Sequence, residues 1–175
     1  MKNLLLSAVF VAAGILSVQA QEVTYGATGG LSILTPDVTG GDADSETGFH
    51  IGAFAEFGLS EQFSIQPELT YAMSGDISML CLNANAKENV TKDFNIQLGP
   101  QIGIAGGDDI ALIEDALGDD FTTLNLQLAI GLGYNISEKI FVQARYGLQL
   151  NNHYTGDADL DINIDTITFG VGYKF

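Results

Sequence analysis

Apolar and polar residues alternate along most of the chain with a period of two. In the clearest stretch, Leu124 to Ile136, leucine, isoleucine or tyrosine fills every second position, and asparagine, glutamine, alanine or glycine lies between them. Successive side chains of a strand point to opposite faces, so this alternation predicts strands with one apolar and one polar face. We find no helical periodicity after residue 20 and therefore predict an all-β fold.

The alternation predicts eight strands. They span roughly residues 23–35, 49–59, 63–73, 79–90, 94–104, 124–136, 140–150 and 167–175. Short polar turns are predicted at Ser60–Gln62, Thr91–Asp93 and Ser137–Lys139, and longer connections at 36–47, 74–78, 105–121 and 152–161. An even number of antiparallel strands, with short turns at one end and long loops at the other, is typical of an up-and-down transmembrane β-barrel.

The three short turns share one sequence pattern. It reads "GLSEQFSIQPEL", "NVTKDFNIQLGP" and "NISEKIFVQARY": a polar turn, an apolar residue, a spacer, Ile or Val, and then Gln. We interpret the repeat as the periplasmic hairpin of the barrel, used three times. Pro67 and Pro100 fall inside predicted strands, where proline cannot donate to the ladder, and we expect a bulge at each.

The composition of the two faces predicts which one meets lipid. The polar face is rich in Gly, Gln, Asn and Ser, with few charges, whereas a face in water would normally carry Lys and Glu. The apolar face is long enough for the 9–11 residues of a tilted membrane strand. We therefore place the apolar face against outer-membrane lipid and the polar face in a plugged lumen, since eight strands leave little interior space. A soluble exported β-barrel carrier, with the opposite orientation, stays open as an alternative.

Residues 1–20 have the features of a cleaved signal peptide. A short basic start precedes an apolar stretch from Leu4 to Ser17, and the small-residue sequence Val18-Gln19-Ala20 ends it. Residues 21–175 are then predicted to form one outer-membrane β-barrel domain.

The charge balance excludes one class of partner. The chain has a net charge of −16, and nucleic acid binding needs a basic surface. Cys81 is the single cysteine, so no internal disulfide can form. No motif for a cofactor is found, and none is predicted.

Several segments resemble the PorT-like outer-membrane β-barrel domain family. They are "GFHIGAFAEFGLSEQFSIQPELTY", "FNIQLGPQIG", "IGLGYNISEKIFVQARYGL" and the ending "FGVGYKF". The resemblance implies an eight-stranded barrel in a Gram-negative outer membrane. Tyr173 and Phe175 also resemble the C-terminal signal read by the barrel-assembly machinery, which implies that machinery as a partner during biogenesis.

Three charged residues are predicted to meet inside the barrel. Glu56, Glu68 and Arg145 lie on the polar face, five to seven residues above the short turns. We expect them to form a buried ion network bridged by Gln66, Gln97, Gln127 and Gln143.

The long connections are strongly acidic. Fifteen of the 22 acidic residues lie in them or at Asp165, and no Lys or Arg does. We interpret this as a solvated acidic surface, with an extracellular partner or a divalent cation as a possible ligand, because Ca²⁺ prefers carboxylate oxygens. Asp157, Asp159 and Asp161 are only weak metal candidates, because their spacing lacks the glycine and terminal Glu of an EF-hand loop.

The function predicted from the sequence is structural, with surface presentation or partner binding through the acidic loops. No catalytic residues are assigned. The alternative is a small outer-membrane enzyme acting on lipid or peptide at the barrel rim, with His50 or His153 as its base.

Overall fold

The computed structural model describes residues 22–39, 45–158 and 160–175, so the predicted signal peptide lies outside the described residues. Eight antiparallel strands in these ranges form a closed barrel in which each strand pairs with its neighbours in the chain and β1 pairs with β8. They are β1 (Glu22–Val38), β2 (Glu46–Gly58), β3 (Phe63–Ser74), β4 (Ile77–Asn89), β5 (Phe94–Gly106), β6 (Leu124–Asn135), β7 (Ile140–Gln149) and β8 (Ile162–Lys174). The predicted fold class is confirmed.

The repeated turn pattern has a physical cause. The hydroxyl oxygens of Ser60, Thr91 and Ser137 each accept backbone N–H hydrogen bonds from the residues two and three further on, at 3.0–3.3 Å. A side chain that satisfies these N–H groups stabilises a tight turn without help from the rest of the barrel. The three hairpins define the short-turn end of the barrel, and the opposite end is called the loop end below.

The connection between β3 and β4 is shorter than predicted. The sequence suggested a long connection at 74–78, but Ser74 pairs with Ile77, and only Gly75 and Asp76 lie between the strands. Gly75 has φ 56°, a left-handed conformation that glycine adopts without steric cost. The prediction was wrong because Gly-Asp makes a two-residue hairpin turn.

The connection between β5 and β6 contains a helix, α1 (Asp108–Leu117), which the sequence analysis missed. Ile110, Ile113 and Leu117 recur at helical spacing, and Ile110 is buried against the barrel. Asp108 and Asp109 lie in the first turn, where carboxylates interact favourably with the helix dipole. Among the described residues, no helix has the length and apolarity needed to cross a membrane.

The two faces of the wall are divided as predicted. Outward side chains such as Ile130 and Leu132 are about half exposed, at 54% and 50%, whereas inward ones such as Gln97 and Gln127 are 1% exposed. A soluble carrier would show the reverse, with its apolar face inside. The orientation with the apolar face outward is confirmed.

Neither proline produces a bulge. At Pro67 the β2–β3 ladder loses two consecutive residue pairs, and at Pro100 the β4–β5 ladder loses two, but the pairs on either side keep the same register. On its other side each proline is paired, Pro67 with Ala84 and Pro100 with Leu128. The expectation of bulges was wrong because one missing N–H removes ladder bonds locally without inserting a residue.

An apolar cluster closes the lumen at the loop end. Its buried members are Leu34, Ile77, Met79, Cys81, Ala105, Ile110 and Ile164, with Phe121 packed against them. Ile110 comes from α1, so the helix supplies part of this seal. The lumen is therefore polar near the short-turn end and apolar beneath α1.

The orientation of the wall leads to a prediction for a lipid-facing charge. Leu128 points outward within β6, and we expect Leu128→Arg to destabilise the vesicle-inserted barrel by about 2–4 kcal/mol, the cost of a basic residue near the bilayer midplane. Leu150→Arg, just beyond β7 at the loop end, should cost only about 0–1 kcal/mol. Urea titration of vesicle-inserted protein measures both, and equal costs would contradict the placement of the membrane.

Candidate functional site

A buried ion pair lies in the middle of the lumen. Arg145 Nη2 of β7 is 2.7 Å from Glu68 Oε2 of β3, and both side chains are almost completely buried. Arg145 also donates to Gln97 Oε1 at 2.8 Å and to Gln143 Oε1 at 2.9 Å. Glu68 accepts a further bond from Thr28 Oγ1 at 3.0 Å. These partners compensate the desolvation of two charges that have left water.

A second ionic group lies nearer the short-turn end. Glu56 Oε1 is 3.1 Å from Lys87 Nζ, and Glu56 Oε2 is 3.3 Å from Lys174 Nζ. Glu56 also accepts a hydrogen bond from Ser64 Oγ at 2.8 Å. Two lysines therefore hold one carboxylate, and Glu56 forms no ion pair with Arg145 in the described residues.

Gln66 connects the two groups. Its Oε1 accepts from Lys87 Nζ at 3.0 Å, and its Nε2 donates to Glu68 Oε2 at 2.8 Å. The three residues named from sequence thus lie in one chain of contacts, joined through Lys87, which was not anticipated. Gln127 lies outside this chain and bonds instead to Gln101, Thr166 and the carbonyl of Ile164.

The sequence contained a signal for Lys87. Asn83, Asn85 and Lys87 alternate with Leu82, Ala84 and Ala86, which places the lysine on the polar face. This signal was missed because the alternation of β4 is weak and Lys87 lies close to the Thr91–Asp93 turn.

Two aromatic rings fill the lumen between the ionic groups and the wall. Phe54 and Phe141 meet edge to face with ring centroids 5.6 Å apart, and Lys87 Nζ lies 5.5 Å from the Phe141 centroid. Gly172 provides the space, because a Cβ there would lie 2.0 Å from Phe141 Cζ. Rings and ion pairs together occupy the interior.

The space left in the lumen beside the Glu68–Arg145 pair is small. A cavity of about 30 Å³ lies above the Glu68–Arg145 pair and is lined in part by His50 and Cys81. Such a volume holds on the order of one or two water molecules. At this level the lumen therefore has room for water only.

Neither histidine is arranged as a rim catalyst. His50 is 3% exposed, and its Nδ1 lies 3.1 Å from the carbonyl oxygen of Leu31. His153 is fully buried, with Nδ1 2.6 Å from the Thr122 carbonyl and Nε2 3.3 Å from Asn125 Nδ2. In His153, one ring nitrogen donates to a carbonyl and the other accepts from an amide, which suits a neutral ring. Burial lowers the pKa of His153 from its ordinary 6.5, and the hydrogen bond to the Thr122 carbonyl offsets part of this decrease.

The weak metal candidates form no ligand set in the described residues. No group of three His, Cys, Asp or Glu side chains there is close enough to hold a metal ion. Asp161 interacts instead with Asn152 Nδ2 at 2.8 Å, and Asp157 makes no such cluster. Asp159 lies outside the described residues.

The C-terminal aromatics lie on the outer wall. Phe175 is 75% exposed, its ring centroid is 5.9 Å from that of Tyr173, and its N–H donates to the Tyr25 carbonyl at 2.9 Å. The terminus is therefore tied to β1 with its ring facing outward. Its role as an assembly signal stays a prediction.

The closed wall, apolar outside and plugged inside, defines the chain as a transmembrane β-barrel. The family model described as "Outer membrane protein beta-barrel domain" matches residues 5–175, and the chain belongs to this family. It is therefore an outer-membrane protein, in contact with outer-membrane lipid. Assignment to the PorT-like branch stays a prediction.

Solved structures support the fold. The chain is similar to neisserial surface protein A (NspA), with TM-score 0.57, 15% identity, and coverage of 88% of this chain and 99% of that one. It is also similar to Ail of Yersinia pestis in complex with the heparin analogue sucrose octasulfate, with TM-score 0.53, 18% identity and coverage of 88% and 99%. At these identities the likeness concerns the fold alone. A comparison with curated protein sequences finds no match.

The buried ion pair should be important for stability. Arg145→Ala leaves the Glu68 carboxylate unpaired, and we expect the free energy of unfolding to fall by roughly 3–5 kcal/mol. Lys92→Ala is the matched control, because the Lys92–Asp93 pair is long, at 3.8 Å, and its lysine is 90% exposed. Urea unfolding in detergent compares the two, and Glu68→Gln should restore part of the loss in the Arg145→Ala background. A midpoint unchanged by Arg145→Ala would contradict a stabilising network.

The buried His153 predicts a pH effect at the loop end. Because the pKa of His153 is lower in the folded protein than in the unfolded segment, the unfolded segment binds a proton first as the pH falls. The stabilisation of the folded loop end is therefore complete above pH 6.5 and declines below it. The decline is at most about 1.4 kcal/mol per pH unit. Hydrogen exchange at the Thr122 amide, which donates to the His153 carbonyl, should report it. In His153→Gln this pH dependence should disappear, and its persistence would assign the effect to the loop carboxylates.

Proposed function

We propose that this outer-membrane barrel is a non-enzymatic surface protein that presents acidic loops to a positively charged partner and conducts no solute. The observation that carries the proposal is the segregation of charge along the barrel axis. Connections 36–47, 74–78, 105–121 and 152–161 contain no Lys or Arg. Long loops of such barrels lie on the extracellular side, so the acidic end faces outward.

The interior supports a role without transport. Ion pairs, glutamine side chains and the two phenylalanine rings occupy the lumen towards the short-turn end. The apolar cluster with Ile110 closes it at the loop end. Solute passage would require breaking a buried charge pair. We therefore assign no pore activity to the barrel.

The burial of both histidines supports a non-enzymatic role. A base acting on lipid or peptide at the rim must reach the substrate, but His50 and His153 are 3% and 0% exposed. Each also has Nδ1 directed to a backbone carbonyl. We therefore do not propose a rim enzyme.

The sign of the loop charge suggests the chemistry of the partner. Ail, which is similar in fold, was solved with a heparin analogue, sucrose octasulfate, which is a polyanion. Acidic loops would repel such a ligand. They favour a cationic protein segment, whose association would be accelerated by electrostatic steering and weakened by salt.

Surface presentation can be tested with cysteine labelling. Leu112 of α1 is 68% exposed, whereas the native Cys81 is 4% exposed and should stay silent. In intact cells a membrane-impermeant maleimide should label Leu112→Cys, and should label Ser60→Cys at the short-turn end only after lysis. Labelling of Ser60→Cys in intact cells would overturn the orientation.

The preference for a cationic partner can be tested with a fluorescent oligolysine probe on proteoliposomes. Glu114, Asp115 and Asp119 are exposed at the loop end, and Glu61, Glu88 and Glu138 are exposed near the short-turn end. Neutralising the first three as amides should weaken binding at low salt, while neutralising the second three should not. Equal losses would show attraction to net charge alone and contradict a loop-specific site.

A further inference from the structure

The outer wall of the barrel carries an apolar groove across β6, β7 and β8. It is shallow and open to the surrounding lipid, with a volume of about 430 Å³. In register, Ala144 lies between Leu132 and Phe169, so a small side chain separates two large ones. The adjacent row is Tyr134, Val142 and Val171. The groove therefore runs along the strands towards the short-turn end.

The next residues in that direction bring an aromatic ring and a cation. Ile140 pairs with Tyr173, and the turn beyond contains Lys139. Lys139 Nζ is 5.8 Å from the Tyr173 ring centroid. Lys139 lies three residues from Val142, about 10 Å along an extended chain.

Lys139 differs from the other basic residues that the structure describes. Lys87 and Lys174 are paired with Glu56 and Arg145 with Glu68, whereas the 90% exposed Lys92 makes only a long contact, 3.8 Å, with Asp93. Lys139 forms no ion pair in the described residues, and its exposed neighbour Glu138 is not its partner. Its charge is therefore available to a ligand that approaches from the membrane surface.

We propose that this groove binds one anionic phospholipid of the periplasmic leaflet. The acyl chain would lie over Ala144 between Tyr134 and Phe169, and the headgroup phosphate would meet the Lys139 ammonium. The short-turn end faces the periplasm, where the inner leaflet consists of phospholipid. Lysine at a membrane surface attracts anionic headgroups, and its aliphatic stem can follow the wall to reach them.

A lipid fits the groove better than a second copy of the chain. The groove is apolar along the strands and meets Lys139 near one end, where Asp93 and Glu138 also lie, so its apolar length and polar end follow the outline of a single phospholipid. A symmetric dimer would place Lys139 of each copy at the same interface, where like charges repel.

The test uses full-length protein in phosphatidylcholine vesicles that contain spin-labelled phosphatidylglycerol or spin-labelled phosphatidylcholine. Electron paramagnetic resonance measures the fraction of label with restricted motion. We expect the wild type to favour phosphatidylglycerol by about fivefold, the effect of one lysine near an anionic group. Lys139→Gln should abolish the preference, whereas Lys92→Gln, which removes an exposed lysine of the β4–β5 turn that does not line the groove, should retain it.

The groove itself is tested by filling it. Ala144→Leu should reduce the restricted fraction of both lipids, whereas Ala86→Leu, on the outer face of β4, should leave it unchanged. A heat-modifiable gel shift shows whether each variant is folded. If Ala144→Leu does not fold, Lys139→Gln still tests the proposal independently. Equal retention of the two lipids by the wild type, or equal effects of Lys139→Gln and Lys92→Gln, would overturn the proposal. The proposal would also be overturned if sedimentation showed that the wild type is a dimer and that Ala144→Leu is a monomer, because a second copy of the chain would then occupy the groove.

Discussion

The structure depends on one constraint, that every backbone N–H and C=O group within hydrocarbon must find a partner inside the protein. The ladder between β1 and β8, from Gly26↔Lys174 to Val38↔Ile162, meets it by removing the two free edges that an open sheet would leave. The loss of ladder pairs at Pro67 and Pro100 is tolerated because each proline remains paired on its other side. Contact with lipid then requires the middle of the outer wall to be apolar, and the polar groups of the lumen must satisfy one another.

The narrow lumen determines how those polar groups are arranged. Five ionisable side chains share a space in which Glu68 and Arg145 are 2.7 Å apart and Glu56 lies between two lysines. Charges without such partners would face a large desolvation cost. Phe54 and Phe141 occupy the remaining volume beside them, and glycines on the facing strands leave room for the rings. The result is a lumen whose middle is filled by side chains, which supports a surface role rather than transport.

The two ends of the barrel differ in charge and in local structure. The loop end has acidic connections without Lys or Arg and carries α1 over an apolar cluster, whereas the short-turn end mixes exposed lysines with exposed glutamates beside outward aromatic rings. A barrel in an asymmetric membrane meets different headgroups at each end. The same asymmetry underlies both proposals: a cationic partner at the loops and an anionic lipid at the turns.

The sequence by itself determined the elements whose cause is local. Period-two alternation predicted the strands, and the composition of the two strand faces predicted the lipid-facing side. The Ser60, Thr91 and Ser137 turns were predictable because each hydroxyl bonds within its own turn. Helix α1 also had a local signal, Ile110, Ile113 and Leu117, but the alternation of Ile110 with Leu112 concealed it. Only the tertiary structure decided which charges meet. Glu56 forms ion pairs with Lys87 and Lys174 rather than with Arg145. Strand alternation specifies a face, but the partner of an inward side chain depends on strands far apart in sequence that closure brings together.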